Sequence, residues 1–320
     1  MSIVLQIAGL IIGFALLIKG ADIFVSASVN IAKFLKISNV VIGLTIVAMG
    51  TSAPEVVISV SAALSSSSDL AIANSVGSNL FNLLFIVGFC ALLYPISIKL
   101  KEISRDYWVS VGATLLLLVM VIVWGDTIPR LGGLIFLVSF TIYMFIVVRH
   151  ALKNKVEDND MEDNIESKPI IRSIFFTVLG AALIIGGGHL TVTNAVNIAL
   201  TVGITERVVG LTIVSMGTSL PELVTTLTAC RKGEGEFAIG FIIGSSIFNI
   251  MFVLGLAGFI TPLTVDSGVI FDITVLTIGT LAFFLFAYSS KRVVRLEGFA
   301  MVMTYLTYMV FIILQTSYHF

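Results

Sequence analysis

Apolar residues run along this chain in blocks of about twenty, separated by short polar intervals. A helix rises about 1.5 Å per residue, so such a block crosses the roughly 30 Å hydrocarbon layer of a bilayer. The blocks predict ten membrane-spanning helices, near 3–34, 38–65, 70–94, 107–125, 131–150, 172–201, 206–230, 237–261, 268–288 and 297–316. One interval differs from the rest. Residues 151–171 read ALKNKVEDNDMEDNIESKPII, a long polar run. They divide the chain into a first five-helix unit over 1–150 and a second over 172–320. The expected fold is an all-α integral membrane protein.

Composition agrees with this pattern. The chain is 58% hydrophobic and 12% charged, with mean hydropathy +1.09, whereas a soluble domain is about a quarter charged. So few charges cannot clothe a water-soluble globule, and the expected partner of the surface is lipid. A net charge of -1 offers no footprint for nucleic acid. No motif marks a cofactor or an obligate protein partner. The segment from Ile3 lacks the basic start and small-residue cleavage site of a signal peptide, so it reads as a retained first span. Cys90 and Cys230 lie in apolar stretches without metal-ligand spacing and are expected in the core.

Basic residues orient the spans. With ten helices, fifteen Lys and Arg fall on the side holding residues 151–171, two (Arg130 and Arg207) fall on the other, and Lys19 lies within the first helix. By the positive-inside rule the linker is cytoplasmic and both termini are extracytoplasmic. A cell membrane is the expected location.

Self-similarity is the strongest signal. GLTIVAMGTSAPEVV at 43–57 recurs as GLTIVSMGTSLPELV at 210–224, with twelve of fifteen positions identical at an offset of 167. The same offset carries GSNLFN at 77–82 onto GSSIFN at 244–249, and Pro95 onto Pro262. Five spans per unit is an odd number, so the second unit enters the membrane upside down. Inverted repeats recur in secondary transporters, with the ion site near the midplane.

The repeated residues are oxygen donors. Glu55 and Glu222 lie in mid-span, where an ionised side chain costs about 2.5–3.5 kcal/mol on insertion scales. Two such costs at related positions call for a compensating cation, the alternative being protonated acids hydrogen-bonded in the bundle. Pro54 and Pro221 are expected to break each helix and free carbonyls there, placing each glutamate at the start of a new half-helix. Thr51 with Glu55, and Thr218 with Glu222, are four residues apart and would share a helix face. Ser78 with Asn82, and Ser245 with Asn249, repeat that step, and Ser52 and Ser219 add hydroxyls. The set holds no sulfur or imidazole and so suits hard cations, calcium and sodium, over transition metals.

At these motifs the sequence resembles the sodium/calcium exchanger family of the calcium/cation antiporter superfamily. The resemblance implies two inverted five-helix repeats and exchange of sodium for calcium by alternating access. It implies that Thr51, Glu55, Thr218 and Glu222 bind calcium. It further implies that Ser52, Ser78, Ser219, Ser245 and the carbonyls of Ala48 and Ser215 help to bind sodium, and that the first and sixth helices form a long sliding pair. Some members carry an aspartate where Asn82 or Asn249 stands, so site charge here rests on the two glutamates.

Rival readings are a calcium/proton or potassium-dependent antiporter, an ion channel and an intramembrane enzyme. Neutral oxygens favour sodium over protons, and an inverted repeat suits alternating access better than an open pore. No HExxH and no Cys/His pair supports an enzyme. Lys19, Asp22 and His189 line the pathway or reach the interface. Asp126, Asp266 and Asp272 sit near span ends, where water suffices.

Overall fold

The computed structural model describes residues 3–65, 68–153, 169–202, 215–265 and 268–318. The chain begins with α1 (Ile3–Leu35). Next come α2 (Asn39–Thr51), α3 (Ala53–Leu64) and α4 (Leu70–Leu93). The first half closes with α5 (Leu100–Trp124) and α6 (Arg130–Lys153). Beyond the linker stand α7 (Ile170–Thr201) and, after a turn at Ser215–Gly217, α8 (Leu220–Arg231). Then follow α9 (Gly235–Ile260), α10 (Val269–Ser290) and α11 (Arg295–Tyr318).

Among the described residues, eight helices are long and apolar enough to cross a membrane, or nine if the bent pair α2 and α3 is one span. Of the expected span 206–230, the part before Ser215 lies outside the described residues, as does 154–168 of the linker.

Burial separates the helices by role. In α9, 94% of the most apolar stretch is buried, against 17% in α11 and 22% in α1. So α9 is a central helix, while α1 and α11 turn apolar side chains such as Val4 and Leu296 outward. At about 1.5 Å per residue, α1 and α7 run to roughly 50 Å, longer than the apolar layer, and must tilt to keep their apolar residues in it. They pack antiparallel through glycines. A Cβ on Gly187 would lie 2.8 Å from the Gly13 carbonyl, and one on Gly20 would lie 3.0 Å from the Gly180 carbonyl. Only glycine permits this backbone approach.

Among the described residues, two short strand pairs join the halves crosswise. They are built from β1 (Ile96–Ser97), β2 (Thr127–Ile128), β3 (Leu263–Thr264) and β4 (Arg292–Val293). β1 pairs antiparallel with β4, and β2 with β3. Each pair therefore takes one strand from either side of the linker.

Among the described residues, three segments widen from the α pitch into π-helix: Gly43–Val47 in α2, Phe81–Val87 in α4 and Phe248–Leu254 in α9. The last two are separated by the repeat offset of 167. Stacked aromatics line these wide turns, with Phe81 on Phe85 at 4.9 Å and Phe248 on Phe252 at 4.8 Å between ring centroids. Wide turns of this kind concentrate at functional sites because they redirect side chains and upset the carbonyl ladder.

Candidate functional site

The helix break expected at Pro54 falls at Ser52, whose ψ of 13° leaves the helical range. α2 and α3 meet there at 49°. Proline is tolerated in a first turn, where its missing amide hydrogen has no helical acceptor to bond. The helix therefore restarts just before Pro54, with Glu55 in its first turn. The second half follows the same rule. Ser219 has ψ 8°, Pro221 stands in the first turn of α8, and Glu222 follows it. The partial positive charge of a helix start favours a carboxylate at both places.

Both glutamates are fully buried, as are Thr51, Ser52, Ser219, Asn82, Ser245 and Asn249, with Ser78 at 4% exposure. The break changes one expectation. Thr51 and Glu55 do not share a continuous helix face, because the chain turns between them. Thr51 lies instead beside Glu222 of the other half. Ser52 makes the same crossing, its Oγ donating to Glu222 Oε1 at 3.1 Å. On the related side Ser219 stands beside Glu55, and the charge of Glu222 acts on Glu55.

Ser245 ties α9 into this arrangement. Its Oγ is 3.0 Å from Ser52 Oγ, and Asn82 Nδ2 donates to it at 3.3 Å. α2, α4, α8 and α9 thus meet through one polar cluster. Thr51 Oγ1 donates back to the Val47 carbonyl at 3.2 Å. The Ala48 carbonyl, which the family resemblance implies for sodium, accepts Ser52 N at 3.1 Å. Thr51 Oγ1 also donates to it at 3.4 Å. Thr218 is half-buried and lines a cavity of about 390 Å³ with Pro54, Val57, His189 and Pro221. Ser215 opens the short turn before α8.

The cluster leaves acceptors unmet. Glu55 Oε1 and Oε2, Glu222 Oε2, Asn82 Oδ1 and Asn249 Oδ1 are buried without a hydrogen-bond partner. A buried unmet acceptor costs about 1–3 kcal/mol, and more when charged. Two like-charged carboxylates in a dry site add mutual repulsion to lost hydration. A cation coordinated by these oxygens relieves all three penalties. Among the described residues, no group of three or more His, Cys, Asp or Glu could hold a metal ion. The donor set is therefore two carboxylates and neutral oxygens, a hard-cation set.

The motif pattern did not single out some residues of this region. Asn79 bonds both Ser246 and Asn249 on α9. Thr225 Oγ1 on α8 and Ser75 Oγ on α4 are buried and unmet. Their recurrence of small hydroxyls next to the motifs is the signal that could have found them.

Polar residues elsewhere have structural partners. Asp22 pairs with Lys232 Nζ at 2.9 Å and with Arg231 at 3.6 Å, tying α1 to the end of α8. Lys232 Nζ also donates to Ser26 Oγ at 2.6 Å. Asp272 needs more than the water expected at a span end, since Tyr308 donates to it at 2.8 Å. Asp106 is clasped by Arg105 at 2.8 Å and by Tyr143 at 3.1 Å. An Asp–Tyr bond therefore joins the last two helices of each half. Cys90 and Cys230 are buried free thiols.

Known proteins resemble the chain over most of its length. The family model described as sodium/calcium exchanger protein matches residues 5–149 and 172–314. The sodium/calcium exchanger MaX1 of Methanosarcina acetivorans is 32% identical over 338 aligned positions, covering 94% of this chain and 96% of that protein. The inner membrane protein YrbG of Escherichia coli is 35% identical over 272 positions, 82% of each. The sodium-calcium exchanger NCX_Mj, soaked with 10 mM Na+ and zero Ca2+, superposes with a TM-score of 0.84 at 29% identity, covering 96% of this chain and 98% of that one. A multi-pass helical membrane protein with paired buried glutamates, matched on both sides of its linker, this chain belongs to the sodium/calcium exchanger family.

Proposed function

We propose that the protein exchanges Na+ for Ca2+ across a cell membrane by alternating access, both ions competing for one site on Glu55 and Glu222. The observation that carries this reading is the pair of fully buried carboxylates beside amide oxygens with no hydrogen-bond partner. Two negative charges balance one Ca2+. The neutral oxygens of Thr51, Ser52, Ser78, Asn82, Thr218, Ser219, Ser245 and Asn249, with the Ala48 and Ser215 carbonyls, suit Na+. Occupancy by one ion excludes the other, so exchange needs no further coupling device.

The architecture proposed is ten spans in two inverted repeats, 1–150 and 172–320, joined by a cytoplasmic linker at 151–171, with both termini outside. The strand pairs support inversion. α5 separates β1 from β2 by about 37 Å at 1.5 Å per residue, which puts them at opposite ends of the bundle. β3, the repeat counterpart of β1, pairs with β2 and so lies at the end opposite to β1. The long α1–α7 pair is the element proposed to shift between access states. The cavity of about 390 Å³ reaching Thr218 gives one approach to the site.

Sealed vesicles loaded with purified protein test this reading with Na+, K+ and H+ gradients imposed in turn. Ca2+ uptake driven by an outward Na+ gradient is expected. Uptake driven only by a pH gradient would replace sodium by protons, and uptake without any counter-ion would make the protein a channel.

A further inference from the structure

Asn249 presents a problem that a carboxylate would not. An amide ends in one acceptor and one donor, so only one of its two orientations offers oxygen to a cation. The other orientation would direct hydrogens at it. Something must set the amide the right way round, and which way it faces follows from the bonding around it.

The chain of bonds begins at the Ser246 carbonyl, which can only accept. Asn79 Nδ2 donates to it at 3.0 Å. That fixes the opposite edge of the Asn79 amide as the oxygen. Asn79 Oδ1 then accepts from Asn249 Nδ2 at 3.2 Å. Asn249 Oδ1 is left facing away from Asn79, buried and without a partner. Flipping Asn249 alone would set two amide oxygens against each other. Flipping Asn79 as well would set its oxygen against the Ser246 carbonyl. The anchor carbonyl lies two residues before the wide turn at Phe248–Leu254, where the helical ladder changes partners. Asn79 itself is 1% exposed.

The other half is built differently. There the Ser52 hydrogen goes to Glu222, so the Ser245 hydroxyl donates to Ser52 and accepts from Asn82 Nδ2, and a hydroxyl relay rather than a second amide orients Asn82. The repeat counterpart of Asn79 is Ser246, whose hydroxyl bonds its own helix at Ile242. The amide-to-amide lock is thus found on the Asn249 side of the site.

We propose that Asn79 is a positioning residue that locks the Asn249 amide with its oxygen toward the cation, an inference that rests on the cation site proposed above. Asn79→Ala removes the lock and leaves both orientations of Asn249 open. Its expected effect is a roughly three- to tenfold weaker affinity for Ca2+ and Na+, the worth of one buried amide hydrogen bond. The KM of exchange should rise while kcat moves less.

The decisive experiment pairs Asn79→Ala with Asn249→Asp, whose two equivalent oxygens need no orienting. Calcium titration calorimetry on purified protein reads the affinity, and the binding stoichiometry reports the folded fraction. Asn79→Ser serves as a second, more polar truncation. The lock requires that Asn79→Ala weakens Ca2+ binding in the parent and not in the Asn249→Asp background. Equal weakening in both backgrounds, or none in the parent, overturns it. Absence of Ca2+ binding by the parent protein would instead sink the site reading itself.

Discussion

Alanine at two adjacent glycines should have opposite consequences. At Gly187 an added Cβ would lie 2.8 Å from the Gly13 carbonyl oxygen and 2.8 Å from the Leu17 amide nitrogen, where ordinary contact starts at 3.4 Å. The shortfall is about 0.6 Å against backbone atoms, which have no rotamer through which to retreat, so α1 and α7 must part. Overpacking of this kind costs about 1–3 kcal/mol, or roughly fivefold to over a hundredfold in an equilibrium. Helix propensity returns at most about 1 kcal/mol of that. At Gly186 the added Cβ meets nothing within 4 Å, so only the propensity gain remains. Thermal unfolding in detergent, read by loss of the monodisperse peak, should therefore fall for Gly187→Ala and hold or rise for Gly186→Ala. Exchange should slow in the first alone. Matching melting curves, or a Gly187→Ala protein at least as stable as the parent, would refute the close-packing argument.

Three further outcomes follow from the geometry. Ser52→Ala deletes the bond to Glu222 at 3.1 Å and the contact with Ser245 at 3.0 Å; bonds to charged groups contribute about 1.5–3 kcal/mol, so equilibrium Ca2+ binding should weaken by roughly tenfold or more. Tyr143→Phe leaves Asp106 without its 3.1 Å donor; melting should drop by the equivalent of about 1–3 kcal/mol, while the Ca2+ affinity of the protein that remains folded stays at the parent value. In the α8–α9 loop, burial raises the Glu234 carboxyl above the usual range against the opposing Asn39 bond. An acid raised on folding supports stability below its unfolded pKa and loses that support as pH rises through its folded pKa. Glu234→Gln, which keeps an acceptor for Asn39, should flatten the decline of melting temperature as pH climbs above about 4.

Much of this was legible in the residues alone. The duplication placed Glu55 and Glu222 at matching depths, and the prolines beside them announced the two breaks. Windows of hydropathy found α1, α4 to α7 and α9 to α11 because lipid demands uninterrupted apolar length. Contacts between helices were not legible. Periodicity reports neighbours on one helix, so it joined Thr51 to Glu55, whereas the turn at Ser52 sends Thr51 and Ser52 to Glu222. The wide turns at Phe81–Val87 and Phe248–Leu254 escaped for another reason. No residue type commands a π pitch. Asp272 read as an ordinary span-end charge because its tyrosine partner lies 36 positions away.

The central claim is that Glu55 and Glu222 jointly hold the cation that is exchanged. Equilibrium binding of radioactive Ca2+ to purified protein, with Na+ as competitor, addresses it without requiring transport. The account predicts saturable binding by the parent, displaced by Na+, and loss of at least tenfold in affinity in each of Glu55→Gln and Glu222→Gln. Ca2+ binding that survives either substitution at parental affinity, or that Na+ fails to displace, would contradict it.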